Sequence, residues 1–171
     1  MPQTEQTEQT SVAASRSSTS PELACRAAAG AGELAVHHAI RHQVFVVEQR
    51  LFAGDDRDGH DAAAETVHVL GLVDGVPGGT VRLYPLDADG LWKGDRLAVL
   101  PAFRRHGLGA PLVRFAVRTA GERGGARMLA QIQLPNVGFF SRLGWEPVGD
   151  PAPYVGVVHQ LMQIALARPG R

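Results

Sequence analysis

Apolar positions along this chain follow two rhythms. From Glu33 onward, Val36, Ile40, Val44, Val47 and Leu51 recur every three to four residues, which predicts an amphipathic helix. A loop rich in Asp and Gly follows, from Gly54 to Asp61. The pattern then shortens to that of strands at Thr66–Val73 and Thr80–Leu86, joined through Asp74-Gly75 and the Pro77-Gly78-Gly79 cluster as a hairpin. Asp89-Gly90 turns into a further strand, Leu91–Leu100. Helical spacing returns at Leu108, Leu112, Phe115, Ala116 and Thr119 and stops at Gly124-Gly125. Met128–Leu134 reads as a strand, Asn136–Leu143 as a short helix, Tyr154–Leu166 as a final strand or hairpin, and Leu23–Ala27 as a short first strand. This order predicts a mixed α/β or α+β domain with a largely antiparallel sheet.

Residues 1–20 are mostly Ser, Thr and Gln, with too little apolar surface to offset the entropy of ordering. A disordered tail is expected there, and one domain over residues 21–171. The tail lacks the positive start and apolar stretch of a signal peptide. A length of 171 residues suits one domain with a core that needs no disulfide or metal staple. No apolar run exceeds four residues, the length of Val44–Val47, so no membrane span is expected. Cys25 is the single cysteine, expected as a small core residue, and a cytoplasmic location follows from that usage.

Lys plus Arg and Asp plus Glu number 17 each, which argues against a nucleic-acid or membrane-surface partner. The zero sum hides two opposed segments. Glu48, Asp55, Asp56, Asp58, Asp61 and Glu65 stand against only Arg50 and Arg57, whereas seven arginines between 96 and 127 face only Glu122. Every basic residue except Lys93 is an arginine.

The most informative stretch is Leu97-Ala98-Val99-Leu100-Pro101-Ala102-Phe103-Arg104-Arg105-His106-Gly107-Leu108-Gly109. Here a strand feeds a turn with two arginines and two glycines, and the turn opens a helix. Gly107 and Gly109 let an anion approach the backbone, toward which the first free N–H groups of the helix point. The partial charge of the helix start adds roughly 0.3–1 kcal/mol per anionic group. Pro111 conflicts with helical geometry at Ala110, so an irregular first turn is expected. A Walker A loop is excluded because the only lysine lies elsewhere, and Leu112 occupies the third glycine position of a dinucleotide fingerprint. The pattern met is Arg104-x-x-Gly107-x-Gly109.

That segment resembles motif A of the GCN5-related N-acetyltransferase (GNAT) superfamily, and Asn136-x-x-Phe139-Phe140-x-x-Leu143-Gly144-Trp145 resembles its motif B. The likeness extends from about Cys25 to Leu166. It implies the GNAT fold, a mixed and mostly antiparallel sheet splayed between its fourth and fifth strands and flanked by helices. It also implies acetyl-coenzyme A as co-substrate, with no metal. Backbone groups of Leu97, Ala98 and Val99 would hold the pantetheine arm, the Val99 N–H polarising the thioester carbonyl, an effect worth ~2.7–4 kcal/mol. Arg104, Arg105, His106, Gly107, Leu108, Gly109 and Ala110 would wrap the pyrophosphate. Asn136 and Phe140 would touch the cofactor.

Two family residues are missing. The tyrosine that protonates the departing thiolate in many members is here Phe140, and the glutamate base is Gln131. A thiol with a pKa of roughly 8.5 leaves without much help, but deprotonating an alkyl ammonium of pKa about 10.4 at pH 7 costs about 4.6 kcal/mol. The base is the more important loss, and a positioned one contributes ~10²–10⁴ in rate. Glu48, at the end of the first helix, is the first candidate, with His68 and His159 as alternatives. His38 and His42 have a metal-like i, i+4 spacing, but no third ligand is evident, and a solvated face explains them better.

Arg41-x-x-x-Phe45-x-x-Glu48-Gln49-x-x-Phe52 followed by Asp58-x-x-Asp61, with Arg82 beyond, resembles the amino-terminal signature of acyl-homoserine-lactone synthases and a nearby branch of bacterial acetyltransferases. As a whole the chain is most similar to a bacterial subfamily associated with nitrogen starvation. The acidic segment is open to three readings: a solvated loop, an ion-pair network of Arg41, Glu48, Asp58, Asp61 and Arg82 that orders the loop over the sheet, or a site for a cationic acceptor. The function expected is direct transfer of an acetyl group to a small amine in a ternary complex. The alternatives are synthesis of an acyl-homoserine lactone and a non-catalytic acyl-coenzyme A sensor.

Overall fold

The computed structural model describes residues 19–167. All but the last two residues of the expected tail, 1–20, lie outside it. One mixed sheet runs in the order β1-β2-β3-β4-β5-β8-β6, with β7 also paired to β8. The strands are β1 (Leu23–Ala27), β2 (Val67–Val73), β3 (Val76–Pro85), β4 (Leu91–Val99), β5 (Arg127–Gln133), β6 (Glu146–Pro147), β7 (Ala152–Tyr154) and β8 (Val157–Ala165). Helix α1 (Gly30–Arg41) covers one face, α2 (Gly109–Glu122) the other, and α3 (Val137–Arg142) follows β5. Neighbouring strands are antiparallel except β4 and β5, which are parallel.

Alternation along the strands divides the core in two. Val67, Val69, Val81 and Leu83 face α2 and pack with Leu108, Leu112 and Ala116, while Leu70 and Leu72 face α1 and pack with Ile40, Val44 and Phe45. The first helix differs from its expected stripe. Val36 and Val47 are exposed, and the buried face is His37, Ile40, Arg41, Val44 and Phe45. Two polar residues sit on the inward face because the chemistry beneath α1 is ionic. After Arg41 the helix widens into a π-helical turn, His42–Glu48, which shifts the phase of the remaining apolar positions.

The β2–β3 hairpin also differs from expectation. Asp74 and Gly75, both at positive φ, form the two-residue turn alone, and Pro77-Gly78-Gly79 lies within β3. These glycines permit close approach: a Cβ at Gly78 would stand 2.3 Å from the Phe103 ring, and one at Gly79 would stand 2.9 Å from Leu112. The contact seats the start of α2 on the sheet beside the end of β4.

Candidate active site

Sheet pairing between β4 and β5 stops at Lys93 and Leu129, although both strands continue, to Val99 and Gln133. Beyond that point the strands diverge, and among the described residues the facing edge of β4 has no strand partner. The V opens into a cleft partly exposed to solvent. Its walls include Lys93 to Leu97 of β4, Met128 and Ala130 to Gln133 of β5, Asn136, Phe140 and Trp145 around α3, and Tyr154 and His159. The segment after α1 supplies Phe45, Gln49, Leu51 and Phe52.

The end of β4 is arranged for an extended ligand. Leu100 N–H donates to Gly78 O at 2.9 Å, on the β3 side. Strand alternation therefore turns Val99 N–H toward the open edge. Ala98 is buried against the α1 side of the core, and Leu97 lines the cleft. A 3₁₀ turn, Pro101–His106, and Gly107 in the left-handed conformation then lead to α2. No side chain caps α2, so the amides of Gly109 and Ala110 have no partner within the helix. Pro111 is the third helical residue, where its missing N–H removes no intrahelical bond. The irregularity expected there falls in the 3₁₀ turn before the helix instead.

Arg104, expected at a pyrophosphate, bends back: its Nε donates to Val99 O at 3.0 Å, and its Nη2 lies 2.7 Å from Glu48 Oε1. Arg105 contacts His106, 3.3 Å between Nε and Nε2. Both are exposed near the helix start.

The three candidate bases have different surroundings. Glu48 ends the π-helical turn but does not line the cleft, and its carboxylate is held by Arg104. His68 lies outside the cleft lining too, with Nε2 3.2 Å from Asp61 Oδ1. His159 lines the cleft and is 6% exposed. Its Nδ1 lies 2.8 Å from Val157 O. A carbonyl only accepts, so Nδ1 carries the proton, and in the neutral ring Nε2 is the nitrogen with the lone pair.

Beneath α1, Arg41, Arg82 and Arg96 interlock with Asp56, Asp58, Asp61 and Asp95. Arg41 reaches Asp56 at 2.7 Å and Asp61 at 2.6 Å. Arg82, fully buried, reaches Asp58 at 2.6 Å, Asp61 at 3.0 Å and Asp95 at 2.7 Å. Arg96 closes the set on Asp56 at 3.0 Å. Of the three readings of the acidic segment, the ion-pair network is the one formed, with Asp56, Asp95 and Arg96 added and Glu48 left out. A β-bulge makes it possible. Arg96 and Leu97 together face Val81, and Arg96 takes φ 52, so the adjacent residues Asp95 and Arg96 both reach the network.

Burial alone would raise the Asp61 carboxyl, but hydrogen bonds from His68 and Arg41 override it and hold it well below the usual carboxylate range. Burial pushes His37, aided by Arg41 and His68, down to about 3. His38, Asp61 and His68 come within metal-ligating distance of one another. Asp61 is nevertheless committed elsewhere, because Arg41 (twice), His68 and the Asp58 amide donate to its two oxygens and the Arg82 guanidinium lies 3.0 Å away. No carboxylate lone pair remains for a cation there.

Tyr154 and Lys93 are among the cleft residues that the sequence does not single out as candidates. Tyr154 bears no motif and is identified only by the fold. Lys93 did carry a signal, as the one lysine in an arginine chain, but its place in the wall depends on β4.

The acetyltransferase (GNAT) family model matches residues 33–145. A Bacillus subtilis (strain 168) protein that bears the name acetyltransferase is 31% identical over 124 residues, 72% of this chain and 83% of that protein. The crystal structure of an acyl-CoA N-acyltransferase from Pseudomonas aeruginosa aligns with a TM-score of 0.69 at 27% identity, covering 84% of this chain and 99% of its own. A CoA-dependent acyl-homoserine lactone synthase, BjaI, solved with SAM and isopentyl-CoA, shares the fold, with a TM-score of 0.69 at 20% identity over 86% of this chain and 84% of its own.

Proposed function

Given that the chain belongs to the acetyltransferase (GNAT) family, we propose that it transfers an acetyl group from acetyl-coenzyme A directly to a small amine, with His159 as the base. The observation that carries this reading is the V between β4 and β5, open beyond Lys93 and Leu129 and ending on an uncapped helix start. The pantetheine arm takes the place of the missing strand along Gly94–Val99. The Val99 N–H meets the arm near its pyrophosphate end, and a β4 N–H nearer the apex meets the thioester oxygen as negative charge develops on it. The pyrophosphate meets the amides of Gly109 and Ala110, with Arg104 and Arg105 nearby. Asn136 and Phe140 close the cleft over the arm.

The amine attacks the thioester carbon, and a proton on its nitrogen passes to His159 Nε2. The Nδ1–H bond to Val157 O holds the ring in the tautomer this needs. Coenzyme A leaves as a thiolate, which tolerates the lack of an acid at Phe140. Gln131 contributes no base, and His159 pairs in register with Gln133 on the same sheet. The amino-terminal signature from Arg41 to Asp61 further supports a place near the nitrogen-starvation-associated branch. The single cysteine suits work in the cytoplasm.

Calorimetric titration with acetyl-coenzyme A, followed by a free-thiol release screen against amines, tests the reading. Binding with amine-dependent thiol release is expected. Failure to bind at tens of micromolar protein overturns the assignment, and binding without release to any amine favours a sensor.

A further inference from the structure

The cleft carries an uncompensated positive charge. Among the described residues, three formally charged ones other than histidine line the cleft: Lys93, Asp95 and Arg96. Asp95 receives two hydrogen bonds from Arg82, each 2.7 Å, and Arg96 is held by Asp56. Those two charges are thereby matched within the network. Lys93 is not matched: among the described residues no carboxylate lies within ion-pair distance of it. Its one hydrogen bond there runs from Nζ to Tyr154 Oη, 3.3 Å. An ammonium has three donors, so two remain for a ligand.

The acidic segment does not supply the missing anion. None of Glu48, Asp55, Asp56, Asp58, Asp61 or Glu65 lines the cleft, and Asp56, Asp58 and Asp61 are taken up by Arg41, Arg82 and Arg96. A cationic acceptor therefore meets no free carboxylate of that segment in the cleft.

Lys93 also stands in a functional position. It is the last β4 residue paired to β5, at the apex of the V, and it shares a face of the sheet with Tyr84 and Arg82. Its Nζ lies 5.2 Å from the centre of the Tyr154 ring, and that same ring packs edge-on against His159 at 5.3 Å. Cation and base thus flank one aromatic side chain.

Building on the acetyl-transfer reading, we infer that the acceptor is an amine carrying a carboxylate, of the amino-acid class, with the carboxylate bound by Lys93. The chemistry is consistent with this assignment. A carboxylate a few bonds from the amine reaches the ammonium while the nitrogen faces His159, and a half-buried charge pair with hydrogen bonds is stronger than an exposed one. The pairing also orients the nitrogen toward the thioester.

Thiol release is measured with acetyl-coenzyme A and matched pairs, each amino acid against its carboxamide, for the wild-type chain, Lys93→Met and Lys93→Arg. The acids are expected to exceed their carboxamides at least tenfold in kcat/KM. Lys93→Met is expected to collapse that ratio toward one through KM, and Lys93→Arg to retain it. Carboxamides used as well as the acids, or a ratio untouched by Lys93→Met, overturns the inference and leaves acetyl transfer standing. No release with any member of the panel, while other amines in the thiol-release screen are acetylated, overturns the inference alone; no release with any amine, from protein that still binds acetyl-coenzyme A in the calorimeter, overturns both.

Discussion

Glu48 Oε1 lies 2.7 Å from Arg104 Nη2, joining the π-helical turn to the loop that opens α2. The two residues are 56 positions apart. The pair engages the arginine expected to face an anionic cofactor, so that cofactor must compete with Glu48 for it. Both side chains are partly exposed, which limits the contribution of the pair to about 0.2–1 kcal/mol. Glu48→Gln should therefore tighten acetyl-coenzyme A binding by roughly 1.4- to 5-fold, with kcat little changed. Calorimetry and steady-state kinetics check this, and a collapse of kcat would return Glu48 to the position of base.

His159→Asn keeps a donor near Val157 O and removes the lone pair. A loss of ~10²–10⁴ in kcat/KM is expected, with the affinity for acetyl-coenzyme A unchanged. Activity within threefold of wild type would remove His159 from the mechanism.

Asp56 is 1% exposed and sits between Arg41 and Arg96. Asp56→Ala leaves two largely buried guanidinium groups short of a partner, at a cost of roughly 3–5 kcal/mol and a fall in Tm on the order of 10 °C. Asp55→Ala, next to it but more than half exposed and 3.6 Å from an equally exposed Arg57, should leave Tm close to wild type. Thermal melts of the two variants test whether the network is structural.

His37 is fully buried, with Nδ1 3.0 Å from Val69 O and Nε2 unpartnered. Its folded pKa of about 3 lies below the unfolded value of 6.5. Between those two values the unfolded chain takes up a proton that the folded chain refuses. Stability is therefore intact above pH 6.5 and declines as pH falls toward 3. Asp58 and Asp61, held low in the fold, extend the loss at lower pH as the unfolded chain begins to protonate them. Urea titrations at a series of pH values should show a midpoint that falls below pH 6.5. His37→Asn, which retains a donor for Val69 O, should flatten that slope.

Much of the architecture was legible because it is local. The turn residues Asp74-Gly75 and Asp89-Gly90, the apolar spacing of α2 and the glycine pattern Gly107-x-Gly109 act over a few residues, where backbone conformation and the first free amides of a helix decide the outcome. The errors share one cause. Pro77-Gly78-Gly79 reads as a turn in isolation, yet the strand continues because Gly78 must accommodate Phe103 from a distant segment. Val36 and Val47 fit a helical stripe, yet the buried face includes His37 and Arg41 because Asp56 and Asp61 lie beneath it.

The sequence by itself determined the order of the main elements and the glycine turn before α2, and it set Phe140 and Gln131 where the resemblance implies an acid and a base. Those features depend on neighbours in the chain. Only the tertiary structure decided where charge is spent and where it is left over. It set Arg96 beside Asp95 on one face through a bulge, tied Glu48 to Arg104, brought His159 into the cleft through β8, and left Lys93 without a counter-ion among the described residues. Electrostatic pairing depends on separation in space, and residues tens of positions apart acquire that separation only when the sheet has formed.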